Sequence, residues 1–117
     1  MQYIKRSDRC IKAAAMTKVM KDAGGTVKEI AEYSKWHNLN EGSRIQVTLI
    51  VIKMVNMGNT AYILKDNLGM LASYPTQDLD EIKTFLTEHG FKPIKEWYLQ
   101  DCGMTEETWN AWNTSND

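Results

Sequence analysis

"SRIQVTLIVIKMVNMGNTAYIL", residues 43–64, is the stretch on which the fold turns. Read as a helix, it has Ser43 as its N-cap, Val47, Val51 and Met54 in one stripe, and Gly58 as its stop. Read as a strand, it alternates at Ile45, Val47, Leu49 and Val51, and its density of Ile and Val suits a pleated, half-buried surface. Propensity alone favours the strand, while the neighbouring segments favour the helix, so both readings stand at this point. A helix would also carry Ile45, Leu49 and Ile52 on its other face, which calls for packing on both sides or a partner surface.

The flanking segments are easier to read. Ile11, Ala14, Ala15, Lys18 and Val19 recur at helical spacing, which predicts a helix from about Asp8 to Ala23, closed by Gly24 and Gly25. "TVKE" at 26–29 has the form of a capping box, and Val27, Ile30 and Ala31 would be the buried face of a second helix. "HNLNEG" at 37–42 breaks that pattern. Beyond Gly58, "TAYIL" and "MLASY" flank "KDNLG" and predict a β-hairpin. Thr76 opens a further helix with Leu79, Ile82, Phe85 and Leu86 on one face and Gly90 at its end. Pro93 fits the first turn of the next helix, which bears Trp97 and Tyr98 and ends at Gly103. Thr105 caps a last short helix bearing Trp109 and Trp112, and the polar tail "NTSND" should be frayed.

With 43–56 helical, the order helix, helix, helix, hairpin resembles the winged helix-turn-helix superfamily of DNA-binding proteins. The resemblance rests on "TVKEIA" at 26–31, "SRIQVT" at 43–48, "KMVNMG" at 53–58 and a wing formed by "TAYILKDNLGMLASY". It covers about half the chain and implies an α+β, mostly helical fold with a β-hairpin wing and C-terminal helices. Residues 1–75 would then bind duplex DNA, and residues 76–117 would form an acidic helical region for dimer or partner contacts. It further implies that Ser43, Arg44 and Gln46 reach base edges, and that Lys28, Lys35 and Lys53 contact phosphates. Lys65 and Asn67 would sit at the wing tip, and Lys5, Arg6 and Arg9 would form a basic arm. The alternative fold is α+β with a three-stranded antiparallel meander at 44–73.

Charge divides the chain in two. Residues 1–65 hold eleven Lys or Arg against five Asp or Glu, a net +6, and residues 66–117 hold three against ten, a net −7. A basic half suits phosphate and an acidic half is repelled by it. The aromatic set Trp97, Tyr98, Trp109 and Trp112 sits among Glu96, Asp101, Glu106 and Glu107, so it suits a protein partner or a second copy better than nucleic acid. Asp78, Asp80 and Glu81 fall in the first turn of a helix, where the dipole accounts for them without a metal.

His37 and His89 are far apart, and the chain holds no HExxH, CxxC, phosphate loop or glycine fingerprint, which argues against an enzyme, a cofactor or a metal. No apolar run approaches the ~20 residues of a membrane span. Cys10 and Cys102 have no metal-like spacing; they suggest a reducing cytoplasm, with a mutual disulfide left open. The favoured expectation is a small cytoplasmic, dimeric transcriptional regulator that binds double-stranded DNA. The alternative is a phage or mobile-element interaction module that inhibits a host protein through its acidic, aromatic C-terminal half. Strand or helix at 44–55 discriminates between them.

Overall fold

The computed structural model describes residues 1–115 and makes residues 44–56 a strand. Three long strands, β1 (Thr26–Asn38), β2 (Arg44–Asn56) and β3 (Asn59–Asp66), form an antiparallel meander. A two-residue strand, β4 (Lys92–Pro93), pairs with Tyr33 and Ser34, giving the sheet order β3-β2-β1-β4. The fold is therefore α+β but not mostly helical. Both segments expected as the second and recognition helices, "TVKEIA" and "SRIQVT", are strands, and the meander begins at residue 26 rather than 44.

Burial decides the outcome in β2. Leu49 and Val51 are buried on one face of the sheet, and Ile52 and Met54 on the other. A strand buried on both faces reads as a continuous apolar run instead of a clean alternation. The β2–β3 connection is a two-residue turn in which Met57 (φ 51°) and Gly58 (φ 80°) both take positive φ. That is the mirror-image turn whose twist matches a hairpin.

Two helices close the sheet from opposite sides. α2 (Leu79–Glu88) lays Ile82 and Leu86 onto Leu49, Val51, Leu64 and Phe91. α1 (Ala13–Asp22) packs Ala13, Met16 and Met20 over Ile52, Met54 and Ile63. Residues 76–115 thus share a core with the meander. The helix α1 is shorter than expected, because residues before it pair with the segment after β3: Tyr3 bridges Ser73, and Lys12 bridges Met70. That segment also covers the outer side of β3, as expected of a hairpin around residues 65–69, with Ala72 N–H donating to the Leu64 carbonyl at 2.7 Å.

The C-terminal helices lie near their expected places, but α2 opens at Asp78 instead of Thr76, and Pro93 stands just before its helix instead of in the first turn. Asp78 caps α2 by accepting from Asp80 N–H at 3.0 Å. Pro93 precedes α3 (Ile94–Glu96), which continues into a π-type turn at Trp97–Asp101. The Thr105 hydroxyl accepts from Thr108 N–H at 3.1 Å and opens α4 (Glu106–Ser115). The tail expected to fray is helical through Ser115, and Asn116–Asp117 lie outside the described residues.

One irregularity sets the sidedness of β1. Its register with β2 slips at Ile30, so Glu29 pairs with Ile52 and Ala31 with Val51. The bulge puts Val27 and Glu29 on the α1 face, and Ala31 and Tyr33 on the α2 face.

Candidate functional site

Beyond the bulge, the even-numbered residues of β1 face the α1 side: Glu32, Ser34 and Trp36 stand opposite Ile50, Thr48 and Gln46. α1 does not reach this far. Ser34 and Thr48 are buried and share a hydrogen bond at 2.9 Å, with Gln46 Nε2 donating to Ser34 Oγ at 3.2 Å. Next to them the C-terminal helices dock through Trp97, which is 2% exposed and lies 5.0 Å from the Trp36 ring.

From Trp36 a row of rings runs outward. Trp97 meets Tyr98 edge-on at 4.9 Å, Tyr98 meets Trp109 at 5.6 Å, and Trp112 stands perpendicular to Tyr98 at 5.4 Å. These separations and angles are those that ring quadrupoles favour. The inner end is held in place: the Arg44 guanidinium lies 4.1 Å over the Trp36 ring, and Trp36 Nε1 donates to the Asp101 carbonyl at 3.3 Å. Lys92 pairs with the Asp101 carboxylate at 2.7 Å. At the outer end Trp112 is 45% exposed. There Tyr98, Trp109 and Trp112 line a groove of about 340 Å³ together with Glu32, Ile94 and Asn113.

Glu32 also belongs to a second depression, of about 410 Å³, with Glu29, Ala31 and Ile50. This is the band of sheet left uncovered between α1 and the C-terminal helices. Lys65, opposite Ile50 on β3, crosses the band to form an ion pair with Glu29. The Glu32 side chain has no hydrogen bond or ion pair among the described residues. Two groups are shifted, Tyr33 on the α2 face of β1 and Glu106 at the start of α4. Burial first, then the Glu96 charge, pushes the Tyr33 hydroxyl up, and the hydrogen bond and charge of Lys95 hold the Glu106 carboxyl down.

The residues expected to bind DNA do not come together. Arg44 and Gln46 face the α1 side, engaged with Trp36 and Ser34. Lys53 is on the opposite face with Lys28 directly across from it, nine residues and roughly 30 Å along β2 from Arg44. Lys35 donates to the His89 carbonyl at 2.9 Å and sits 4.6 Å over the Phe91 ring. Lys65 is paired with Glu29. Ser43 and Asn67 are exposed in separate connections. In the expected basic arm, Arg9 is turned inward to Asp66 at 3.2 Å, with both side chains about 5% exposed or less. His37 lies on β1 and His89 ends α2, and Cys10 and Cys102 are both free.

Of the expected partner residues, Trp109 and Trp112 line the groove, and Trp97 is the buried anchor beneath. Trp36, Glu32 and Asn113 were not singled out from the sequence, because only the β1–β2 register and the docking of α4 bring them to this surface. Among the described residues, no helix is long and apolar enough to cross a membrane. Comparison with protein-family models, curated proteins and solved structures finds no match to the chain.

Proposed function

We propose that this protein is a non-catalytic interaction module that binds another protein through the groove of its C-terminal helices. The observation that carries this reading is the aromatic row, which runs over the fully buried Trp97 and ends on the half-exposed Trp112 beside a groove shared with Glu32. Aromatic side chains anchored from behind lose little entropy on binding and dominate interface hot spots. Duplex DNA, the other expectation from the sequence, has less support, since its proposed contacts are split between two faces and several are tied up internally.

Panning a random-peptide library on the immobilised protein tests the proposal. Enriched peptides should lose at least about tenfold in affinity, or ~1.4 kcal/mol, on a Trp109→Ala/Trp112→Ala variant. Equal binding to the folded variant would overturn it. A second copy of the chain is the competing occupant. Sedimentation that shows a dimer dissociated by the same two substitutions would assign the surface to self-association instead.

A further inference from the structure

Resting on that reading, we propose that the groove beside Glu32 is a subsite for an arginine side chain of the bound partner. The α1-side face carries two glutamates from β1. Lys65 neutralises Glu29, whereas the Glu32 side chain has no cation or hydrogen-bond donor among the described residues. Glu32 shares its groove with the Tyr98, Trp109 and Trp112 rings, so a cation there would meet a carboxylate and aromatic rings together. A planar guanidinium serves both at once, because it stacks on rings and forks onto a carboxylate, which a compact ammonium does less well. The same row already holds one guanidinium at its other end, where Arg44 lies on Trp36. Next to the subsite, the uncovered band at Ile50 offers an apolar floor for the residue flanking that arginine.

The four tryptophans give four indole N–H signals, which makes the ¹⁵N-labelled full chain its own reporter. The probes are acetylated, amidated Gly-Arg-Gly, Gly-Lys-Gly and Gly-norleucine-Gly. The arginine peptide should move the Trp109 and Trp112 signals saturably, leave that of buried Trp97 in place, and bind several-fold tighter than the lysine peptide. Glu32→Gln should weaken it by about tenfold, as expected for loss of a charge partner. Glu107→Gln, outside the groove lining, should change it less than about twofold, which separates a local contact from bulk charge. Norleucine binding as well as arginine, lysine binding as well as arginine, or an unchanged affinity in Glu32→Gln would each overturn the arginine subsite. Tryptophan-dependent library peptides that contain no arginine would remove the subsite while leaving the interaction module standing. Loss of tryptophan dependence in the panning would remove the module itself.

Discussion

The two faces of this sheet are made by the same three strands yet are closed very differently. On the α2 side, Leu49, Val51, Leu64, Ile82, Leu86 and Phe91 form one continuous buried cluster. On the α1 side, a smaller cluster under α1 and an aromatic cluster under the C-terminal helices leave a depression at Glu29, Glu32 and Ile50 between them. The difference separates two tasks. The larger buried cluster supplies most of the cohesion, and a face covered from both ends can keep a strip of sheet available without unfolding the domain.

Substitutions on the two faces test this contrast. The largest loss should come from Asp66→Ala. Asp66 is buried, paired with Arg9, and accepts from the Leu68 and Met70 N–H groups at 2.9 Å each. Its removal strands a buried guanidinium, so chemical denaturation should show a loss of ~3–5 kcal/mol. A loss under ~1 kcal/mol would mean that Arg9 finds water easily and that this side is less closed than its geometry implies. Leu86→Ala, inside the α2-side cluster, should cost ~2–5 kcal/mol. On the α1 side, Trp112→Ala should cost less than ~1 kcal/mol while weakening peptide binding, because the ring is half exposed. An equal loss for Leu86→Ala and Trp112→Ala would erase the contrast. The smallest effect, a gain of roughly 0.5–1 kcal/mol, is expected for Met57→Asn. Met57 is 93% exposed and takes φ 51°, a conformation asparagine tolerates better. Thermal melting would register it as a rise of a few degrees.

The same bulge that shapes the α1 side explains why β1 was misread. Val27, Ile30 and Ala31 stand at i, i+3 and i+4, the spacing of a helical stripe. In the structure the extra residue at Ile30 shifts the phase of a strand, so a broken alternation imitates a helix. "TVKE" then supplied a capping signal that the long-range pairing with β2 overrides. Where local signals had no such competitor they were legible: the buried face of α2 at Ile82 and Leu86, the Thr105 cap, and the turn between β3 and Met70, although α2 takes Asp78 rather than Thr76 as its cap. The site was legible in the same proportion. Trp109 and Trp112 stand out in a short acidic helix, but Glu32 and Trp36 reach them only through sheet register, and no local pattern encodes that.

The tryptophan row has an optical consequence. Trp36, Trp97 and Trp109 follow one another from the end of β1 through the C-terminal helices, Trp112 stands beside Trp109, and neither α1 nor α2 carries a tryptophan. Intrinsic fluorescence therefore watches only one end of one face, whereas far-ultraviolet dichroism averages over every strand and helix. Release of the C-terminal helices ahead of the sheet would redden the emission before the dichroism changes. Coincident curves would mean that this end of the molecule melts with the rest.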